Sequence, residues 1–244
     1  MTNSDAATSS DHLSTIRNAA RALYGTPPFL VQHGWRQRYV HRNHTHVDEL
    51  TEAPPPLHPT TDGSPVQTRR DGHGPIVMRS FEVTIANSEL SAVQLMRRFK
   101  TDSNDFVPKH IAGFLEGNRE VRSMEVGDEF VVEIPGPWNG PVRVDGVTDT
   151  SVLLITLEGH MEAGHIRFEV TDQTDTGYKF RIRSWARAGD ELFEQLHLVV
   201  GLAHEAQTAM WVHACDRAVA VSGGSRQSDI SVRTEQLNGS DIDE

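Results

Sequence analysis

Residues 191–221 read ELFEQLHLVVGLAHEAQTAMWVHACDRAVAV, and their apolar positions alternate spacings of four and three. This is the spacing of one face of an α-helix, and here it runs through Leu192, Leu196, Val199, Ala203, Ala206, Met210 and Ala214. A helix of this length measures on the order of 45 Å at the usual rise per residue. The sequence therefore predicts one long C-terminal helix whose apolar face must pack on something else.

Strand patterns earlier in the chain supply that packing partner. Residues 76–86 (IVMRSFEVTIA) predict a strand, and ELSAVQLMRRF at 89–99 predicts a helix directly after it. Six more strands are predicted near residues 119–125, 129–134, 141–147, 151–157, 165–171 and 177–186. Successive strands joined by short turns form an antiparallel meander. The predicted fold class is thus α+β, a curved antiparallel sheet of about seven strands wrapped on the long C-terminal helix.

Alternation within two of these strands indicates how the sheet is covered. Apolar residues at every second position put one side of a strand in the core and leave the other in water. The apolar set is Ile166, Phe168, Val170, Tyr178, Phe180 and Ile182. We expect one covered face and one solvated face.

The two ends of the chain differ from this middle part. Residues 1–70 predict an N-terminal arm with a short helix at 13–23 and a linker at 52–65 (EAPPPLHPTTDGSP), where three successive prolines forbid a regular helix. Residues 223–244 are polar and rich in Gly and Ser, which predicts a disordered acidic tail. The ligand-binding domain is therefore expected to span residues 71–222.

Composition narrows the function classes. The chain of 244 residues has a net charge of -11, which argues against nucleic acid as a partner because phosphate binding rests on clustered Lys and Arg. No apolar run approaches a membrane span, and residues 1–12 (MTNSDAATSSDH) have no basic region followed by an apolar segment, so we expect neither a membrane span nor an export signal. Cys215 cannot form an intrachain disulfide, since it is the only cysteine. We expect a cytoplasmic protein that binds a hydrophobic small molecule without a cofactor, and a homodimer is left open.

The loop EGHMEAGH at 158–165 holds two histidines and two glutamates where a plain hairpin turn would suffice. Successive connections of a meander alternate between its two ends. This places His160 and Glu162 at the same end as Trp138 in PGPWNG and the entry to the long helix near Gly189. Either these are ordinary solvated loop residues, or they form the mouth of a cavity between helix and sheet.

The segments VGDEFVVEIPGPWNGPVRV (126–144), TLEGHMEAGHIRFEV (156–170) and FRIRSWAR (180–187), together with the order of elements, resemble the helix-grip fold of the START and pollen-allergen-like superfamily, also called SRPBCC. Within it they are similar to a bacterial branch known only as a domain of unknown function. The resemblance implies a sheet that grips the last helix around an internal cavity. It does not imply one reaction, because members include lipid carriers, hormone receptors and polyketide cyclases.

The candidate site residues follow from these placements. His160 and Glu162 are the candidate catalytic pair, a base near neutral pH with a carboxylate to orient it. The candidate ligand-binding residues are Trp138, His160, Glu162, Arg143, Phe168, Phe180, Ile182, Leu196 and Met210. His41, His44 and His46 are the right type for metal ligands but match no metal motif, so no metal is predicted.

Three functions remain open at this stage. The first is binding of a lipid-like or aromatic, polyketide-like molecule without turnover. The second is a cyclase or hydrolase of hydrophobic substrates that uses His160 and Glu162. The third is an interaction or scaffold protein that acts through the arm and the tail.

Overall fold

The computed structural model describes residues 37–56, 63–109, 112–117, 119–133, 139–174, 177–189 and 197–237. In these ranges two helices, α1 (Ala92–Thr101) and α2 (His197–Val221), accompany one sheet. The strands are β1 (Val40–Val47), β2 (His73–Ala86), β3 (Gly113–Glu116), β4 (Arg119–Glu120), β5 (Glu129–Glu133), β6 (Asn139–Val147), β7 (Ser151–Thr156), β8 (Glu162–Thr174), β9 (Gly177–Ala188), β10 (Ser225–Arg226) and β11 (Ile230–Leu237). Among the described helices, none has the length and apolar character that crossing a membrane requires.

The strand order in the sheet is β1, β11, β2, β9, β8, β7, β6, β5, β3, β4, with β10 paired to β2. Strands β5 to β9 form the predicted meander, and α2 packs on the face of the sheet near β2 and β9. The predicted α+β class is therefore confirmed. The described sheet has eleven strands rather than about seven, because both ends of the chain add to it.

The C-terminal segment is the main correction. Strand β11 lies between β1 and β2, parallel to the first and antiparallel to the second. Its residues Ile230 and Val232 are 0% and 4% exposed. The average composition is polar, but a strand needs apolar residues only at alternate positions. The prediction of a disordered tail from residue 223 is wrong for residues 225–237, and residues 238–244 lie outside the described part.

The N-terminal arm is also partly built into the domain. Strand β1 completes one edge of the sheet, and the following residues cross the sheet on the face opposite α2, where the Glu52 carbonyl accepts a hydrogen bond of 3.0 Å from Trp185 Nε1. Residues 63–72 lie along the same sheet, and Val66 forms a bridge to Leu157. The predicted arm over residues 1–70 thus contributes residues 40–56 and 63–70 to the fold. The helix predicted at 13–23 lies outside the described residues.

The strand predicted near 119–125 is reduced to the two residues of β4. It pairs with β3, and β3 takes the place beside β5 that the longer strand was expected to fill. The side chain of Asn104 holds β3 in position, since it accepts from Phe114 N at 2.7 Å and donates to Phe114 O at 3.0 Å. Val121 and Met124 are buried without belonging to a strand.

The two faces of the sheet have different cores. On the inner face, against α1 and α2, an aromatic cluster fills the centre: Phe99, Phe106, Phe114, Phe168, Phe180 and Trp211. On the outer face Met78 and Trp185 are buried as well, at 0% and 1% exposed. The expectation of a solvated outer face is therefore wrong around β2, β8 and β9, because the segment that contains Glu52 covers it.

Candidate functional site

A small cavity lies between the inner face of the sheet and α2. Among the described residues its volume is about 40 Å³. Its wall is mainly apolar, formed by Val132, Val142, Leu154, Phe168, Ala186 and Trp211. The polar side chains of His160, Glu162 and Gln207 also line it. The predicted cavity is thus present with His160 and Glu162 in its lining, but a space of this volume holds only about three water molecules or a group of that size.

The loop that carries His160 is fixed by Gln67, a residue from the predicted arm. Gln67 Nε2 donates to the His160 carbonyl at 3.0 Å, and Gln67 Oε1 accepts from Gly159 N at 3.2 Å. Gln67 also pairs through its backbone with Thr156. These contacts hold the loop against the sheet, so His160 is not an ordinary solvated loop residue. No local sequence signal points to this long-range role of Gln67.

The neutral ring of His160 carries its proton on Nε2, because Nδ1 accepts a hydrogen bond from the Glu162 backbone. The backbone N–H of Glu162 donates to His160 Nδ1 at 2.8 Å. Because a backbone N–H can only donate, Nδ1 is unprotonated and the neutral ring bears its hydrogen on Nε2. Burial lowers the pKa of His160 below its ordinary value, although the nearby Glu162 charge opposes this shift. The ring is therefore a neutral Nε2–H donor at neutral pH.

The carboxylate of Glu162 binds α2. Glu162 Oε2 accepts from Gln207 Nε2 at 3.0 Å, and the other end of the Gln207 side chain accepts from Arg79. Arg79 also donates to the hydroxyl of Thr208. A polar bridge of Glu162, Gln207 and Arg79 thus joins the sheet to the helix. The only sequence signal for it was a charged residue, Arg79, in the otherwise apolar strand pattern IVMRSFEV.

Two glycines, Gly140 and Gly189, allow the chain to approach His160 closely, and a third, Gly159, allows the turn that precedes it. A Cβ atom on Gly140 would lie 3.0 Å from His160 Nε2, and one on Gly189 would lie 2.4 Å from the His160 carbonyl oxygen. Gly159 has φ +88°, which a residue with a side chain rarely adopts. The start of β6, the His160 loop and the end of β9 therefore meet at one end of the sheet, the end expected from the alternation of the connections.

The other candidate ligand-binding residues are placed as follows. Trp138 and Leu196 lie outside the described residues. Phe180, Ile182 and Met210 are fully buried in the core around the aromatic cluster and are not among the described residues that line the cavity. Arg143 does not reach it either, because its guanidinium binds Glu129 and the Ser64 carbonyl at the other face of the sheet.

The weak metal-ligand candidates and the single cysteine have no arrangement for chemistry among the described residues. His44 and His46 stack with ring centroids 5.4 Å apart, whereas His41 is at an odd position and points to the opposite side of β1. Within the described ranges no group of three or more His, Cys, Asp or Glu residues is placed to hold a metal ion. Cys215 is buried in α2, and burial raises the pKa of its thiol, so it is not a nucleophile.

We expect His160 to make the protein less stable as the pH falls below about 6.5. The unfolded chain takes up the proton near this ordinary pKa, whereas the folded protein takes it up only at the lower pKa. Between the two pKa values the unfolded state binds more protons than the folded state. The free energy of unfolding therefore decreases as the pH is lowered, and it levels off below the folded pKa. Urea unfolding between about pH 7.5 and pH 5.5 measures this slope.

His160→Asn is the matched variant, because the carboxamide oxygen keeps an acceptor for the Glu162 N–H but does not titrate. Its unfolding free energy should depend less on pH over the same range. An NMR titration that gives His160 a pKa at or above its ordinary value would contradict the prediction.

Comparisons with known proteins give similarity of structure only. No family model matches the chain, and no curated protein matches it. Among solved structures, a hypothetical protein from Helicobacter pylori is similar over 59% of this chain and 86% of its own, with 12% identity and a TM-score of 0.41. A START superfamily protein from Mycobacterium smegmatis is similar over 62% of this chain and 98% of its own, with 11% identity and a TM-score of 0.39.

A norcoclaurine synthase point mutant from Thalictrum, in complex with a transition-state analogue, is similar over 61% of this chain and 98% of its own, with 10% identity and a TM-score of 0.41. One of these solved structures is thus described as a START superfamily protein. Likeness at this level does not assign a function, which has to come from the site itself.

Proposed function

We propose that the protein binds a compact, mainly apolar small molecule between the sheet and α2 and does not turn it over. The observation that carries this proposal is the cavity with a mainly apolar wall and a few polar residues, among them His160, Glu162 and Gln207. Pockets of this make-up, with few placed polar groups among apolar ones, are the common form of small-molecule site.

The donor group of His160 and the volume of the cavity limit the kind of ligand that the proposed site would bind. His160 offers an Nε2–H to the ligand, so the ligand carries a hydrogen-bond acceptor such as a carbonyl oxygen. The enclosed volume of about 40 Å³ is well below the roughly 300–1,000 Å³ of sites that hold drug-sized ligands. A lipid chain or a polyketide would require Phe168 and Trp211 to move. We therefore narrow the expected ligand from a lipid-like molecule to a small ketone, ester or aldehyde.

The hydrogen bonds of the polar residues favour binding over catalysis. A general base needs a free lone pair near the substrate, but the lone pair of His160 is on Nδ1 and accepts from the Glu162 backbone. The carboxylate of Glu162 accepts from Gln207 instead of orienting the imidazole ring. The pair is thus arranged to position a ligand, and the cyclase or hydrolase alternative would need both hydrogen bonds to change.

Native mass spectrometry of the purified protein, with extraction of anything bound, is the first test. In addition, acetone should cause saturable NMR shifts at Gly164 and the Trp211 indole, whereas isobutene, which has the same shape but lacks the acceptor, should bind more weakly. His160→Asn should weaken acetone binding by about tenfold, the usual effect of losing one buried hydrogen bond. His41→Asn, the same change at an exposed position, is the control. A protein without any extracted compound and without saturable shifts would refute the proposal.

A further inference from the structure

A second and larger cavity lies on the other side of the polar bridge. Its volume is about 360 Å³, and it opens between α2 and the inner face of β1, β11 and β2. The described side chains that define its chemistry are Arg79, Arg42, Glu205, Thr208, Thr234 and Val232. Its volume is within the range of small-molecule sites, unlike that of the first cavity.

Arg79 forms the inner end of this cavity. It is only 7% exposed, although it is a charged residue on a central strand. Two neutral groups on α2, the Gln207 carboxamide and the Thr208 hydroxyl, accept hydrogen bonds from its guanidinium. These contacts hold the planar group rigidly. A fixed guanidinium is suited to bind a carboxylate through two parallel hydrogen bonds.

Two other charged residues among the described lining, Arg42 and Glu205, are paired with each other. Arg42 and Glu205 form a two-pronged ion pair at the rim, with Arg42 Nη1 at 2.8 Å and 3.1 Å from the two carboxylate oxygens of Glu205. Glu162 and Glu205 both act on Arg79 electrostatically; Glu205 lies at the rim of this cavity, whereas Glu162 lies behind Gln207 and lines the first cavity. Among the described residues, a carboxylate in the cavity would therefore lie between Arg79 at the inner end and the Arg42–Glu205 ion pair at the rim.

The remaining lining suits a small organic acid. Val77 and Val232 provide an apolar wall for its carbon skeleton, and the hydroxyls of Thr208 and Thr234 can donate to its oxygens. Strands β1 and β11 supply part of this lining. These are the segments that the sequence had predicted to be an arm and a tail, so the cavity exists only because both ends of the chain join the sheet.

We propose that this cavity is a second binding site, which takes a small organic carboxylate and holds it through the guanidinium of Arg79. This second cavity is separate from the cavity of the proposed function. Gln207 connects the two, since it lines the first cavity and accepts a hydrogen bond from Arg79, which lines the second. A ligand at one site can therefore be detected independently of a ligand at the other.

Titration of the full chain with benzoate, followed by the backbone amide signals in NMR spectra, tests the proposal. Benzoate should cause saturable shifts at Thr208, Val232 and Thr234, and benzamide, which has the same shape without the charge, should bind at least about tenfold more weakly. Arg79→Gln should remove most of the difference between the two compounds. Arg122→Gln removes the same charge at an exposed position and should leave benzoate binding unchanged.

Thr208→Val provides a second variant in case Arg79→Gln does not fold. It keeps the shape of the side chain, removes the hydroxyl that accepts from Arg79, and should weaken benzoate binding several-fold. Equal binding of benzoate and benzamide would overturn the proposal. So would benzoate shifts confined to His160 and Gly164, or the absence of saturation at millimolar benzoate.

Discussion

Truncation of the chain after Gly224 should abolish the cooperative thermal unfolding transition of the protein. The truncation removes β11, which supplies hydrogen bonds to β1 on one side and to β2 on the other. Burial of Ile230 and Val232 is also lost, at about 1.5–3 kcal/mol for each side chain. Strand β1 then loses the one strand with which it pairs in the described part of the chain. The combined loss approaches the total stability of a typical domain, about 5–15 kcal/mol.

Circular dichroism during heating measures this effect. Truncation after Leu237 is the matched control, because it removes only residues 238–244 and leaves β11 complete. It should unfold at nearly the temperature of the full chain. A protein cut after Gly224 that still unfolds cooperatively at the same temperature would show that β11 contributes little to stability.

Gly164→Ala should have the second-largest effect, with a loss of about 3 kcal/mol or more in the free energy of unfolding. A Cβ atom at this position would lie 2.0 Å from the Trp185 carbonyl oxygen and 2.9 Å from Ala186 Cα. The backbone of β9 cannot give way without breaking its pairing with β8. Gly164 also has φ +152°, which residues with a side chain rarely adopt.

Gly146→Ala is the control for this change. Gly146 lies on β6 in the same sheet, but the nearest atom to its added methyl group would be Leu153 Cβ at an ordinary 3.7 Å. We expect a change within about 1 kcal/mol of the parent protein, measured by urea unfolding. If the two variants were equally stable, the close approach at Gly164 would not be a constraint on the fold.

The prediction of the fold succeeded where local pattern and tertiary structure agree. The alternation around Phe168 and Phe180, and the helical spacing around Met210, each indicated an element that the structure contains. The prediction failed for β11, the eight residues from Ile230 to Leu237, because the composition of residues 223–244 was judged as a whole and that composition is polar. A short strand that gains its stability from two neighbours distant in sequence leaves little trace in composition.

The candidate site was also predicted only in part, because the order of the strands places some of its residues and long-range contacts place the others. Counting connections in the meander was enough to bring His160 next to Gly140 and Gly189. It could not show that Gln67 fixes the loop or that Gln207 binds Glu162, because both contacts join residues far apart in the chain. It also misplaced Arg143, since alternation alone does not say which face of a strand lies under the helix.

The parallel pairing of β1 with β11 has a consequence for synthesis. Val40 pairs with Ile230, so 230 − 40 = 190 residues separate the partners. At roughly 5–20 residues per second, β1 waits on the order of 10 to 40 seconds on the ribosome before its partner exists. During that time β1 and the edge of β2 present unpaired backbone groups, which invite pairing with other chains. The exposed His, Arg and Asn side chains of β1 lower this risk, because polar and charged side chains on an edge strand disfavour pairing with other chains.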